Sequence, residues 1–324
     1  MRKAMADAEV GDDLFDDDPT VHALQDAVAE LTAREAALYL PTGTLCNEIA
    51  MHLYARPGRL VVCEEHAHTG EHEAASAALL SGLSFRGIAA PDRGLIGAEQ
   101  VAAALAPDDP YDGGGVSLVT IENTHQVGGG TPMPLADVRA IKAVCDAHGV
   151  PLYLDGARIF NACTATGTTI AEYAGSVDAL MFCLSKGLGA PIGSMLVGDA
   201  DFIAEARRLK ILMGAGWRQA GILAAAGLVA LEEGPPLLAE DHANARRLAE
   251  GIAEILPGSV EPPATNIVFV DVSGTGRSLT WWAESLAAHG LLVTTVAGKL
   301  RMLTHRDVTA ADIDTAVSVV REVA

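Results

Sequence analysis

The chain has 324 residues, half of them hydrophobic and only 4% aromatic, which is enough aliphatic material for one large and one smaller domain. Its formal net charge of −20 argues against nucleic acid and anionic membranes as partners. Five scattered cysteines without a Cys-x-x-Cys pair fit a reduced, cytoplasmic setting. We expect no signal peptide at the start, and the longest apolar run, 222–231, is too short to span a bilayer.

The first distinctive stretch is an acidic segment, Asp12 to Asp18, that carries five aspartates. We predict a solvated loop here, in preference to a cation site, because acidic side chains are rarely buried without partners.

A candidate phosphate cradle follows at Pro41-Thr42-Gly43-Thr44, directly before a helical segment at 45–54. Gly43 lets the backbone approach a ligand, Thr44 can donate a hydrogen bond, and a helix N-terminus supplies free N–H groups with positive potential. The same residues could form an ordinary threonine cap, so the cradle is indicated only in combination with the residues below.

Apolar runs then alternate with helical segments, one of which, 136–148, ends at Gly149. Continuous apolar strands are typical of a sheet that is buried on both faces, and the alternation predicts an α/β fold with mostly parallel strands. Such sheets bind their ligands at the carboxyl ends of the strands. The predicted strands are 60–63, 117–121, 151–154, 179–184 and 193–197.

Two histidines follow predicted strands. His68 comes after the strand 60–63, where an imidazole can stack on a flat ring, and His125 ends the segment Glu122-Asn123-Thr124-His125 after the next strand. His66 and His72 lie near His68 in the sequence, but no carboxylate-bearing zinc motif surrounds them, so we predict no metal.

The most informative residues are Asp155 and Lys186, each at the end of a buried strand. Lys186 stands in the glycine-rich segment 185–191, where a lysine can lose its proton and act as an amine nucleophile. Asp155 opens Asp155-Gly156-Ala157-Arg158. A lysine that forms a Schiff base and an aspartate that keeps a pyridine nitrogen protonated are what a pyridoxal 5'-phosphate (PLP) site needs. The sequence therefore predicts PLP as cofactor.

The pattern changes after Pro235-Pro236. A charged helix at 239–255, a strand at 266–271, a helix near 281–289 and strands at 292–295 and 300–304 predict a small α+β domain. We place the boundary between a large domain, 1–235, and a small domain, 236–324. Arg301 lies in the last strand, where its guanidinium can clamp a carboxylate.

Together these motifs resemble the low-specificity L-threonine aldolases, in the β-eliminating lyase group of PLP enzymes of fold type I. The resemblance covers nearly the whole chain in the family's order. The matching stretches are 8–13, 18–21, 41–44 with Asn47, 122–125, 154–162, 184–191 and 218–221.

The resemblance implies a large domain with a mostly parallel seven-stranded sheet, a small C-terminal α+β domain, and a homotetramer or homodimer with sites at subunit interfaces. It implies that Lys186 forms the Schiff base, Asp155 pairs with the ring nitrogen and His68 stacks on the ring. The resemblance also implies that Gly43 and Thr44 contact the phosphate, and that Arg218 contacts the phosphate in a neighbouring subunit. Contacts to the substrate carboxylate fall to Arg158 and Arg301, and His125 is expected near the substrate hydroxyl.

Some positions depart from the family pattern. Phe15 replaces the usual tyrosine, 69–73 read Thr-Gly-Glu-His-Glu, and Gln126 replaces an asparagine after the Thr-His pair. The family's N-terminal Ser-Asp-Thr-Val-Thr stretch, whose serine contacts the substrate carboxylate, does not occur in this sequence. If the chain starts at Met1, we expect normal cofactor binding and a high substrate KM.

The implied activity is cleavage of L-threonine-type β-hydroxy-α-amino acids to glycine and an aldehyde, as part of amino-acid metabolism in the cytoplasm. The base that removes the hydroxyl proton is His68, His125 or a water molecule. The alternatives are another PLP lyase or an aminotransferase on the same fold, and a catalytically silent relative. No nucleic acid and no membrane are expected as partners.

Overall fold

A seven-stranded sheet forms the centre of the molecule in a computed structural model that describes residues 1–90, 93–106 and 114–324. Its strands follow the order β1-β7-β6-β5-β4-β2-β3. Strands β3, β2, β4, β5 and β6 are parallel, and β7 is antiparallel to its neighbours β6 and β1. The strands are β1 (Ala36–Leu40), β2 (Leu60–Glu64), β3 (Ser84–Ile88), β4 (Val116–Glu122), β5 (Leu152–Asp155), β6 (Ala179–Cys183) and β7 (Ser194–Gly198). The predicted α/β fold with a mostly parallel sheet is confirmed.

Two strands at the edges of this sheet were not identified from the sequence. Strand β1 begins with two alanines, which have low strand propensity, although its last four residues are buried. Strand β3 contains Arg86 and Gly87 and has no fully buried residue, so it lacks the apolar run that marked the central strands.

Thirteen helices are assigned in the described part of the chain, most of them on the two faces of the large sheet. They are α1 (Arg2–Ala6), α2 (Pro19–Thr32), α3 (Gly43–Tyr54), α4 (His68–Glu71), α5 (Ser76–Ser81), α6 (Ala98–Leu105), α7 (Leu135–His148), α8 (Ile159–Thr166), α9 (Ile170–Ala174), α10 (Ala200–Leu212), α11 (Gly221–Ile255), α12 (Leu279–Ala288) and α13 (Ala310–Val323). Two short 3-10 helices cover Asp13–Phe15 and Ser273–Thr275.

The hydrophobic core has three parts. One lies on each face of the large sheet, which explains why its central strands read as continuous apolar runs. The third lies under a small antiparallel sheet of order β8-β10-β9, and Trp282 is its largest side chain. The strands of this sheet are β8 (Ile267–Val270), β9 (Thr294–Val296) and β10 (Lys299–Leu303). Helix α12 packs on β9 and β10, and α13 packs on α11 and α12.

Helix α11 passes through Pro235 and Pro236, so the prediction of a helix that begins at 239 was wrong in its start. Each proline removes one backbone donor, but the helix is held from outside by α1, α2, α8 and α13. At Gly234 an added Cβ would lie 2.9 Å from the Leu188 Cα, so α11 is in close contact with the segment around Leu188. The division at 235/236 falls inside this helix and stays a prediction.

Helix α11 is also the one described helix whose length and apolar composition would suffice for a membrane span, with mean hydropathy 1.4 over its most apolar part. The helix packs against four other helices. Core helices of globular proteins have the same properties, so length and composition do not by themselves make α11 a membrane segment.

The acidic N-terminal segment is not the solvated loop that the sequence predicted. Asp13 and Asp18 are buried, with exposed fractions of 2% and 0%. Asp13 forms an ion pair with the equally buried Lys210, 2.7 Å from Nζ to Oδ2. A buried charge is tolerated when it is paired, and Lys210, nearly two hundred residues away in sequence, gave no signal of this partnership.

The Asp18 carboxylate accepts four backbone N–H groups from three segments. Oδ1 caps α2 through the N–H groups of Thr20 and Val21, and Oδ2 accepts from Gly11 and from Gly221 at the start of α11. Because α2 and α11 pack against each other, one carboxylate joins the N-terminal segment to both helices.

We predict that Asp18→Ala lowers the free energy of unfolding by about 2–4 kcal/mol, since it removes a helix cap and leaves buried donors unpaired. Urea denaturation measures this, with Asp17→Ala as the control because that neighbouring aspartate is exposed. Equal stabilities of the two variants would contradict the joining role of Asp18.

Candidate active site

The carboxyl ends of β4, β5 and β6 lie side by side at one edge of the large sheet. Glu122 pairs in register with Asp155, and Asp155 with Met181. A cavity of about 400 Å³ opens at this edge, a volume typical of small-molecule sites. It is lined by Pro41, Thr42, Gly43, Thr44, Asn47, His68, Asp155, Ala157, Met181, Cys183, Ser185, Lys186, Pro191 and Ile192. The sequence-predicted residues Gly43, Thr44, His68, Asp155 and Lys186 are thus brought to one cavity.

One wall of the cavity is the N-terminus of α3. Thr42 caps this helix through its Oγ1, which accepts from the N–H of Leu45. The N–H groups of Gly43 and Thr44 have no hydrogen-bond partner among the described residues. A Cβ on Gly43 would lie 2.8 Å from Met181 Cε, so only glycine fits this close approach. Free N–H groups at the positive end of a helix fit a phosphate group.

Asp155 is fixed through both of its carboxylate oxygens. Oδ1 accepts from the backbone N–H of Ala157 at 3.0 Å, and Oδ2 accepts from Asn47 Nδ2 at 2.9 Å. Lys186 lies across the cavity in the turn after β6, where its carbonyl accepts from Gly189 N–H. A fixed carboxylate and a lysine amine in one cavity are the donor set that a pyridoxal ring requires.

His68 forms another part of the cavity wall at the N-terminus of α4. Its backbone N–H donates to Glu122 Oε2 at 3.0 Å, which ties the histidine to the end of β4. Burial, more than any nearby charge, lowers the pKa of the His68 imidazole. His68 is therefore neutral near pH 7 and able to accept a proton.

His125 lies behind the cavity wall and is 1% exposed. Its Nδ1 accepts from the N–H of Gly128 at 3.0 Å, and its Nε2 lies 2.9 Å from Glu64 Oε2. Because Nδ1 is an acceptor, a neutral ring carries its proton on Nε2, which lies at ion-pair distance from Glu64 but makes no well-aligned hydrogen bond in the described part of the chain. Burial alone lowers the pKa of His125, but the carboxylates of Glu64 and Glu122 outweigh it and the net shift is upward.

Arg158 follows β5 of the large sheet and Arg301 lies in β10 of the small sheet, and neither is among the residues that line the cavity. Arg158 is buried and donates weakly to Gln126 Oε1, at 3.4 Å. Burial and then the charge of Arg158 lower the pKa of Arg301. Arg301 Nε is buried without a hydrogen-bond partner in the described part of the chain. Two interacting cations, one with an unused donor, favour an anionic partner.

Arg218 does not line this cavity in the single chain. Its side chain is 58% exposed, pairs with Asp12 at 2.9 Å and lies over the Phe15 ring. Arg218 is therefore not brought together with the other predicted cofactor contacts.

Sequence reasoning missed two residues of the site. Asn47 appeared in a matching stretch but received no role, and Glu73 was noted only as part of a divergent segment. Glu73 is buried, and its Oε1 accepts from Asn47 Nδ2 at 2.9 Å. Only the position of Asn47 on the inner face of the helix after the phosphate cradle could have pointed to it.

Comparison with known proteins gives a consistent result. A family model described as beta-eliminating lyase matches residues 1–275. The low-specificity L-threonine aldolase of Escherichia coli (strain K12) is 39% identical over 95% of this chain and 90% of its own length. Low-specificity L-threonine aldolase 1 of Arabidopsis thaliana is 33% identical over 97% and 89%. The solved structure of Leishmania major threonine aldolase superposes with a TM-score of 0.82 at 25% identity, over 95% of this chain and 90% of that one.

The raised pKa of His125 gives a testable linkage. A histidine whose pKa is higher in the folded state stabilises the fold fully below its ordinary value of about 6.5, and this stabilisation is lost as the pH rises through the folded pKa. We therefore predict that the stability lost in His125→Gln is greater at about pH 6 than at about pH 9. Thermal melting across this range measures it, with the exposed His148→Gln as control. A loss that does not change with pH would contradict the His125–Glu64 pairing.

Proposed function

The chain belongs to the beta-eliminating lyase family and is a homologue of the low-specificity L-threonine aldolases, and on that premise we propose that it is a PLP-dependent aldolase. Its proposed reaction is cleavage of L-threonine and L-allo-threonine type β-hydroxy-α-amino acids to glycine and an aldehyde. The single observation that carries this proposal is the placement of Lys186, Asp155 and the α3 N-terminus around one cavity. The family resemblance and the geometry thus point to the same chemistry.

In this proposal, different residues of the cavity would contact different parts of the cofactor. Gly43 and Thr44 would offer N–H groups to the phosphate, Asp155 would pair with the ring nitrogen, and His68 would stack on the ring. Lys186 would provide the amine that holds PLP covalently. Bound PLP would supply an electron sink for the bond that breaks at the substrate Cα.

Arg158 and Arg301 hold the substrate carboxylate in this proposal. Fixing the carboxylate fixes the remaining bonds of Cα, and that orientation decides which of them breaks. The support is the interaction between the two guanidinium groups and the unused Nε of Arg301. In this proposal, strand β10 of the small sheet contributes Arg301 to a site that is otherwise built on the large sheet.

For the proton of the β-hydroxyl we propose His68 as the acceptor in preference to His125. His68 lines the cavity and its lowered pKa keeps it neutral. His125 is not among the residues that line the cavity, its Nδ1 accepts from Gly128 N–H, and its Nε2 lies 2.9 Å from the Glu64 carboxylate. His125 then acts on the substrate through the position of the loop that begins at Gln126.

We also propose a homo-oligomer, two or four copies, in the cytoplasm. The support is a group of exposed apolar side chains on the N-terminal segment, the C-terminal end of α10 and the start of α11, the same region that carries Arg218. These side chains are Val10, Phe15, Ile211, Leu212 and Ile222. Exposed apolar groups of this kind favour burial against another subunit.

Lys186→Ala tests the covalent attachment. We expect the purified protein supplied with PLP to absorb in the visible region, and the variant to lose both this absorbance and about a thousandfold or more of its activity. Lys142→Ala is the control, because that lysine pairs with Asp146 and Asp178 away from the cavity. A colourless wild-type protein after addition of PLP would overturn the proposal.

Arg301→Lys tests the carboxylate site. A point charge replaces the planar fork, and the loss of one hydrogen bond to a charged group, about 1.5–3 kcal/mol, corresponds to a rise in KM of about ten- to a hundredfold. The visible absorbance should be kept. Arg277→Lys is the matched control, because that guanidinium lies over the Trp281 ring and does not line the cavity. An unchanged KM in Arg301→Lys would show that Arg301 does not bind the substrate carboxylate.

A further inference from the structure

The side-chain amide of Asn47 forms three hydrogen bonds inside the protein. Nδ2 donates to Asp155 Oδ2 and to Glu73 Oε1, each at 2.9 Å, and Oδ1 accepts from the Tyr153 hydroxyl at 2.8 Å. All four residues are buried, with exposed fractions of 6% or less. One amide nitrogen therefore fixes two buried carboxyl groups.

These two carboxyl groups lie within the distance of about 4–6 Å at which like charges strongly disfavour each other, because both bind the same nitrogen. No lysine or arginine among the described residues forms an ion pair with Glu73. Its one ion-pair neighbour is His68, whose Nε2 lies 3.6 Å from Oε1, too far for a hydrogen bond. That imidazole is neutral because burial lowers its pKa. A third buried carboxyl group, Glu48 of α3, faces the same region through its contact with Ser76.

The carboxyl groups of Asp155 and Glu73 differ in the hydrogen bonds that they accept. Asp155 accepts one hydrogen bond on each oxygen, from Ala157 N–H and from Asn47. Glu73 accepts on Oε1 alone, and its Oε2 is buried without a partner in the described part of the chain. An ionised oxygen without a donor is far more costly to bury than a protonated one. The negative charge is thus better placed on Asp155.

We propose that Glu73 is a positioning residue that keeps its proton in the folded protein, so that the Asp155–Asn47–Glu73 group carries one negative charge, located on Asp155. A second charge on Glu73 would favour a proton on Asp155, and a neutral Asp155 does not hold a protonated ring nitrogen. The value of this arrangement for catalysis rests on the proposed function. The protonation of Glu73 is a property of the folded chain and is testable without cofactor.

The electrostatics agree with this assignment. Burial first, and then the charge of Asp155, raise the pKa of Glu73 from 4.5 to about 8. A carboxyl group with a raised pKa favours the fold below its unfolded value and loses that contribution as the pH rises towards the folded value. The window in which Glu73 weakens the fold therefore runs from about pH 4.5 to about pH 8.

The test is thermal melting of the cofactor-free protein and its Glu73→Gln variant between about pH 5 and about pH 8. Glutamine has the shape of a protonated glutamate and does not titrate. We expect the melting temperature of the variant, relative to wild type, to increase steadily with pH. Glu254→Gln is the control, since that glutamate is exposed on α11 and forms no ion pair in the described part of the chain, and its difference from wild type should be flat.

Infrared spectroscopy of cofactor-free protein near pH 7 gives a second readout. We expect a protonated-carboxyl band in wild type and in Glu254→Gln that decreases in Glu73→Gln. A melting difference that does not change with pH, an unaltered band, or a Glu73→Gln chain that fails to fold would each overturn the proposal, because a neutral isostere must be tolerated where the native group is neutral.

Cofactor titration separates this proposal from the proposed function. We expect Glu73→Gln to bind PLP within about threefold of wild type, and Asn47→Leu, which removes the donor to Asp155, to bind about tenfold or more weakly. A wild type that binds no PLP would contradict the proposed function and leave the melting and infrared results valid. A loss of PLP affinity in Glu73→Gln comparable to that of Asn47→Leu would contradict a neutral Glu73.

Discussion

The parallel direction of β2, β4, β5 and β6 is the constraint on which the site depends. Parallel strands end at the same edge of a sheet, so the residues that follow them meet although they are far apart in sequence. The chain segments after Glu64, Glu122, Asp155 and Cys183 supply His68, His125, Arg158 and Lys186 in this way. Strand β1 runs in the same direction through its pairing with β7 and delivers the α3 N-terminus to the same edge.

Several buried acidic side chains lie at this edge, and each needs a partner or a proton that offsets its charge. Glu64, Glu73, Glu122 and Asp155 are all buried there. The charge of Glu122 is stabilised by hydrogen bonds, since the carboxylate accepts from the backbone N–H groups of His68 and Gln126. Glu64 is paired with His125, and Glu73 holds a proton in our proposal. The carboxylate of Asp155 is then the one left to meet a cationic ring nitrogen.

Much of this could be predicted from the sequence. The five central strands were each placed within one residue, because strands buried on both faces have continuous apolar runs, and strand ends then located Asp155 and Lys186. The edge strands, the passage of α11 through Pro235 and the burial of Asp13 could not be predicted, since each depends on tertiary partners. The same holds for Asn47 and Glu73, whose partnership joins α3, β5 and the segment after α4. For His125 the sequence indicated the right edge of the sheet but not its burial beside Glu64.

The central claim is that the cavity cleaves a carbon–carbon bond of a β-hydroxy amino acid. The most direct measurement is product analysis after incubation of the PLP-supplied protein with L-threonine. The account predicts glycine and acetaldehyde in equal amounts, with no keto acid, and no reaction with D-threonine. Formation of a keto acid, turnover of D-threonine alone, or bound PLP without turnover of any β-hydroxy amino acid would contradict it.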